Sequence, residues 1–367
     1  MSRIYTNGYR IDYPNELAYA GMPAIVRVSQ LNTAYIGVGI TIKVGENYYT
    51  ETRTPYNGEV VFDISRYMQT AFIGRNLSPR YGDIAEEQGS VSNTQYSVSV
   101  VVSLTDTAGA IENAHSFDVN ALVGYMPIGR ANGGVRNRRW FVNYPQTFDF
   151  YGEEHISVSL DNTSVTIERL GEAIQQISVE LSPYRGNATE GAQSAVLTAT
   201  DAVYLNGDVL NRRAQSAYRL TIDRCTKGVY LRWLDNFGQW CYYLFRTTGR
   251  NYTTKEVQSW QDGELRNELQ PENDVYIGHS SQQLSQQESI SLGAKLIDAE
   301  TFALLLTLTN SPIVEVLTNA TEYQANNNTT PLWERVSVAG GSYARTGAPL
   351  QDFAVSIVRN AQTSQML

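Results

Sequence analysis

Gly228–Phe245, GVYLRWLDNFGQWCYYLF, reads as two dense strands folded about one turn. Successive side chains of a strand alternate between faces, so Val229, Leu231 and Trp233 point to one side and Tyr230, Arg232 and Leu234 to the other. Asp235, Asn236 and Gly238 supply the turn, because Asn and Gly accept the positive φ that a hairpin needs. The return strand places Trp240, Tyr242 and Leu244 on one face and Cys241, Tyr243 and Phe245 on the other. A sheet that is apolar and aromatic on both faces is covered on both. This hairpin is therefore either the centre of a core or the seam of an assembly.

Outward from the hairpin, the pattern predicts a mainly β, multidomain chain: β-sandwich domains of immunoglobulin-like type followed by a smaller α+β domain. Residues 1–128 form the first sandwich. Ile40, Ile42 and Val44 alternate with polar neighbours up to a turn at Gly45-Glu46-Asn47, and Tyr96, Val98, Val100, Val102 and Leu104 make the cleanest period-two run. Asp63 is the predicted cap of a short helix whose Ile64, Tyr67, Met68, Ala71 and Phe72 share a face. Residues 75–94 are polar and without pattern, a surface loop or an arm that orders against a neighbour. Residues 129–134 read as a linker.

Residues 136–248 form a second sandwich-like domain, with strict alternation at Ile177, Val179, Leu181 and at Tyr218, Leu220, Ile222, and with the aromatic hairpin closing it. Residues 184–193 and 206–213 read as loops, the latter an exposed hairpin tip. Residues 249–367 form the third unit. Its approach, 251–287, is rich in Gln, Glu, Asn and Ser; Asp298 then caps a helix carrying Phe302, Leu304, Leu305 and Leu308 that stops at Asn310-Ser311-Pro312. Strands follow at 313–317, 336–338 and 353–358.

The segment Leu231-Arg232-Trp233-Leu234, Asn236-x-Gly238-x-Trp240, then Tyr242, Tyr243 and Phe245 resembles a mark of tailed-phage tail-tip and baseplate proteins, similar in role to distal tail proteins. A second likeness lies in Ser311-Pro312, Trp333-Glu334-Arg335-Val336 and Pro349-Leu350-Gln351-Asp352-Phe353. Together these cover the chain from Gly228 onward and nothing before it. The resemblance implies a structural virion subunit, a ring-forming adaptor between the tail tube and host-recognition proteins. It also implies a homo-oligomer, a sixfold ring (a hexamer), with other tail proteins as partners and host attachment as the task. Its place would be the virion tail after synthesis in the host cytoplasm.

Composition bounds these readings. The chain has 367 residues, enough for two or three domains, and 24 Tyr against only 11 Pro, which favours strands. A formal net charge of −9 argues against nucleic acid as a partner, since phosphate tracking needs a basic face. One basic run exists, Arg136, Arg138 and Arg139 with Arg130 just before it. It reads as a solvated connector or as a contact with an acidic neighbouring subunit. No apolar leader follows Met1, and no run approaches the roughly 20 apolar residues of a membrane span. Cys225 and Cys241 are expected to be reduced thiols.

The usual catalytic constellations are thin, so no enzyme, cofactor or metal is expected. His115, His155 and His279 lie in no metal spacing, and no nucleophile elbow or phosphate-binding loop occurs. Glu153, Glu154, Asp161, Asp201, Asp208 and Asp235 leave a β-fold glycoside hydrolase as a third reading, because such enzymes hold two facing carboxyls. The second reading is a carbohydrate- or receptor-binding module of the virion, with host-surface glycan as its ligand. Trp260, in a polar stretch, is the candidate stacking platform or interface anchor.

Overall fold

The computed structural model describes all residues except 7, 80–89, 92–93, 127–130, 132, 161–162, 169–173, 182–192, 207–208, 262–279, 327–328, 342, 360–361 and 364–367. The chain is mainly β, with β-sandwich architecture followed by a smaller α+β unit. It forms two compact units. The first comprises Met1–Cys225 and the hairpin tip Leu234–Tyr242; the second comprises Thr226–Trp233 and Tyr243–Leu367.

The first unit opens with β1 (Ser2–Thr6), β2 (Tyr9–Tyr13), β3 (Leu17–Tyr19), β4 (Ile25–Ser29), β5 (Tyr35–Val44), β6 (Asn47–Arg53), β7 (Val60–Asp63), α1 (Ser65–Thr70), β8 (Ser90–Val91), β9 (Gln95–Asp106) and β10 (Ile111–Leu122). Two sheets, β1-β2-β4-β7 and β3-β10-β9-β5-β6, build the sandwich. Period-two alternation explains its core: Val38, Ile40 and Ile42 of β5 pair in register with Leu104, Val102 and Val100 of β9, and all six are fully buried. Asp63 does not cap α1 in the expected way. Ile64 is the N-cap, and the Asp63 carboxylate accepts the amides of Ser65 and Ala24 at 3.0 and 3.1 Å, tying the helix entry to β4. Of residues 75–94, most lie outside the described residues, as does half of the linker at 129–134.

The same unit continues with β11 (Val135–Phe141), β12 (Thr147–Leu160), β13 (Thr163–Glu168), β14 (Gln175–Glu180), β15 (Ser194–Asn206) and β16 (Val209–Asp223). Their sheet runs β11-β16-β15-β12-β14-β8, with β13 on β12. Two expectations change here. The basic run is no connector: it is edge strand β11, paired in parallel with β16 from Val135↔Ala217 to Phe141↔Asp223. The hairpin expected at 206–213 is there, but its strands run further than the sequence suggests, because β15 and β16 pair as far as Asn206↔Val209. Loops 184–192 lie outside the described residues.

The second unit is built from β17 (Val229–Leu234) and β18 (Trp240–Gln261), whose shared tip counts with the first unit, and from β19 (Ser280–Ile297), α2 (Ala299–Leu308), β20 (Val314–Leu317), α3 (Ala320–Ala325), β21 (Trp333–Val338), β22 (Gln351–Arg359) and β23 (Gln362–Thr363). Six strands close on themselves in the order β18-β17-β20-β21-β22-β19, because β19 also pairs with β18. Closure removes the edges an open sheet exposes and lets side chains fill the interior. Trp233, Phe245, Leu292, Phe353 and Ile357 are buried there, with Phe302 of α2 edge-on to Phe353 at 5.6 Å. Asp298 is the N-cap of α2, accepting the Thr301 amide at 2.7 Å as its position before an apolar run predicts.

Candidate functional site

The turn of the aromatic hairpin is held in the first unit by a buried polar hub. Asp235 organises the turn itself: its Oδ1 accepts the amides of Phe237 and Gln239 at 2.8 and 2.9 Å, and Gly238 takes φ +69°. Asp149 on β12 is wholly buried and accepts the Trp240 amide at 2.8 Å and the Ser178 hydroxyl at 2.5 Å. Gln176 of β14 donates to the Gly238 carbonyl at 3.2 Å and accepts from Thr94 at 2.6 Å. Tyr151 donates to the Phe237 carbonyl at 3.2 Å, Tyr125 donates its amide to the Asn236 carbonyl at 2.6 Å, and Tyr242 and Thr147 share a hydroxyl bond of 2.7 Å.

Burial decides the electrostatics. Loss of water pushes the Asp149 carboxyl up to about 6, against the opposing pull of the Ser178 and Trp240 bonds. Burial also raises Asp235, offset by the Gln239 amide and by Arg138 and Arg136. The alternation of β11 explains those cations. Arg136 and Arg138 share the face turned to Tyr218 and Leu220, while Arg139 takes the other face. Arg136 stacks over the Tyr218 ring at 4.2 Å and donates to Gln239 Oε1. Arg138 lines a 20 Å³ cavity with Gln239, Cys241 and Tyr242, and Arg139 pairs with Asp223 at 3.4 Å. The run Arg136–Arg139 is thus divided between the hub and the outer surface.

Trp260 stands on β18, its backbone paired with Ser281, and its side chain lies outside the described residues. Of the acids that suggested glycoside hydrolysis, Asp235 is buried in the hub and Asp201 sits exposed at a break in β15 with φ +61°. Asp161, Asp208 and the Glu154 side chain lie outside the described residues. Asp149, the hub's deepest carboxylate, escaped sequence reasoning. Its one signal is a carboxylate between two aromatics, Phe148-Asp149-Phe150. His115 packs between Tyr13 and Phe117 at 5.0 and 5.9 Å, and neither His155 nor His279 has a described side chain. Cys225 is exposed and Cys241 buried, and neither is in a disulfide. Among the described residues, no three His, Cys, Asp or Glu side chains converge on a metal-sized position, and no helix is long and apolar enough to cross a membrane.

The second unit carries a different feature. β17 has six residues and β18 twenty-two, so most of β18 runs past its hairpin partner. It pairs with β19 from Arg246↔Gly293 to Gln261↔Ser280, whereas β22 accompanies β19 only through Ser289. Past Glu288 the sheet narrows to a polar ribbon, with the two-residue β23 alone beside Ser285 and Gln286 among the described residues. From Tyr252 to Gln261 this ribbon extends roughly 30 Å at the usual strand rise. Residues 251–261 and 280–287 are therefore a pair of strands where the sequence reads as a polar approach.

No family model matches the sequence, and no curated protein is similar to it. Among solved structures, the Clostridium thermocellum CbhA fibronectin(III)-like modules are similar at 9% identity and a TM-score of 0.19, covering 59% of this chain and 94% of that one. A 1.5-MDa bacterial ice-binding adhesin is similar at 12% identity and a TM-score of 0.19, covering 96% of both chains.

Proposed function

We propose that this chain is a structural, non-enzymatic virion subunit of a phage tail tip or baseplate, a ring-forming adaptor joining the tail tube to host-recognition proteins. The observation that carries the reading is the ribbon of β18 and β19 beyond Glu288. A lone two-stranded hairpin is at best marginal in water, and its edges present unpaired backbone groups. The closed barrel has no such edge, so the ribbon is the part of the second unit that gains most from being covered by another chain. Strand addition along β18 supplies that cover through main-chain hydrogen bonds, with little demand on side chains. A head-to-tail contact of this kind closes into a ring when its rotation permits. Light scattering on the purified full chain across a wide concentration range, with electron micrographs of the same sample, tests the reading. Closed rings of one order, six by the resemblance, are expected; a chain that stays single at the highest concentration overturns it.

A second reading, a carbohydrate- or receptor-binding module of the virion, draws on Tyr5, Tyr48 and Tyr56 of the first unit, which are 63, 64 and 80% exposed. Such rings offer an apolar face with a polar tip. Glycan-array binding by a stable monomer, lost in Tyr48→Ala and Tyr56→Ala, favours this reading over the first.

A further inference from the structure

At the root of the ribbon, five side chains from four strands form one network. Glu288 of β19, its side chain 14% exposed, accepts the Tyr252 hydroxyl at 3.1 Å and Arg250 Nη1 at 3.3 Å through Oε1, both from β18. Its Oε2 accepts Arg359 Nη1 at 3.1 Å. Arg359, the last residue of β22, forks onto Glu334 of β21, with Nε to Oε1 at 3.1 Å and a second bond from Nη2 to Oε2. The Glu334 and Glu288 contacts leave the Arg359 guanidinium more firmly protonated than usual.

The register gives this network its position. Ser289↔Val358 is the last pair between β19 and β22, so Glu288 is the first residue of β19 past β22, directly across from Tyr252, with the two-residue β23 meeting β19 only at Ser285 and Gln286. A two-stranded ribbon is free to twist and bend where its third strand stops. Charge-assisted bonds drawn from β22 and β21 restrict that root, and a forked Arg–carboxylate pair adds directionality that a single contact lacks. Isolated surface pairs contribute little, but here one carboxylate gathers three donors in a partly buried setting.

We propose that Glu288 is a positioning residue that fixes the direction in which the ribbon leaves the barrel, and thereby the single ring order in which copies of this chain close. The proposal rests on the ring reading above and refines it. Closure of a head-to-tail contact depends on one angle, so a ribbon loose at its root gives open chains and mixed orders.

The test uses the full chain carrying Glu288→Ala, with Glu288→Asp as the conservative variant. Amide hydrogen exchange is read at residues 251–256 and, as a folding control, at Leu231 and Phe353. The expected result is at least about tenfold faster exchange at the ribbon root in Glu288→Ala, an intermediate rate in Glu288→Asp, and unchanged controls. Micrographs of the same variant are expected to show open or mixed assemblies. If Glu288→Ala fails to fold, Glu288→Gln, which keeps the shape, takes its place. Unchanged exchange, or rings of unaltered order, overturns the proposal. A wild-type chain that never associates overturns the ring reading and this refinement of it, while the exchange rates still report on the clamp.

Discussion

The backbone amide of Trp240 donates to the wholly buried carboxylate of Asp149 at 2.8 Å, so the first residue after the hairpin turn hangs on an acid that the fold keeps dry. Folding raises that carboxyl from its ordinary 3.8 to about 6. The folded chain therefore binds this proton more tightly than the unfolded chain does. The resulting stabilisation is complete below pH 3.8 and is lost as pH rises through 6, a swing on the order of 3 kcal/mol. Asp149→Asn imitates the protonated acid: its oxygen accepts from Trp240 while its amide donates to the Ser178 hydroxyl. Denaturation of both proteins across pH 4–7 is expected to show the wild type losing stability relative to the variant as pH rises, with parallel curves as the contrary result.

Gly238 supplies the second grip on the same turn. At φ +69° a side chain is strained, and a Cβ there would lie 2.1 Å from the Val123 carbonyl oxygen. Gly109 has φ +84° but nothing within 4 Å of such a Cβ, so it isolates the backbone strain. Gly109→Ala is expected to cost about 1 kcal/mol and Gly238→Ala at least about 3 kcal/mol. Equal losses in thermal or chemical denaturation would mean that the Val123 segment moves aside and does not clamp the turn.

Much of the fold was legible in the residues, and the reasons for the gaps are physical. The period of β5 and β9 was clear because one face of each is buried and the other is wet. The Asp298 cap was clear because it stands four residues before the apolar run that opens at Phe302. Asp149 was hidden because β12 is buried on both faces from Thr147 to Gly152, which erases the alternation that marks an inward polar residue. The ribbon was hidden for the opposite reason. With no core face, its strands have no apolar period, and their pairing depends on backbone groups that every sequence shares. Arg136–Arg139 looked like one patch because sequence adjacency conceals that a strand sends neighbours to opposite sides.

The Asp298 cap sets a smaller scale. Only one of the first-turn amides of α2 is satisfied by it, at 2.7 Å from Thr301, and the site is exposed. Asp298→Ala is expected to cost about 1 kcal/mol and Asp298→Ser much less, since a hydroxyl also accepts the amide. Denaturation that placed Ser with Ala would show that the negative charge near the helix start, not the hydrogen bond, is what stabilises α2.

Arg232 offers the sharpest case in the second unit. Its side chain is 2% exposed, its Nε and Nη2 both reach Glu315 Oε2 at 2.6 Å, and its guanidinium lies over the Trp333 ring at 4.2 Å. Charge, hydrogen bonding and stacking converge on one group, which a lysine's point charge does not reproduce. Removing the cation alone strands Glu315 at 13% exposure without its counter-charge, so Arg232→Met is expected to cost 3–5 kcal/mol. The double variant Arg232→Met, Glu315→Gln removes both charges and keeps the packing of the stem, so most of that loss should return. A double-variant cycle on chemical denaturation measures the coupling. If the double variant is as unstable as the sum of the singles, the pair contributes through packing on Trp333, and the ion pair is incidental.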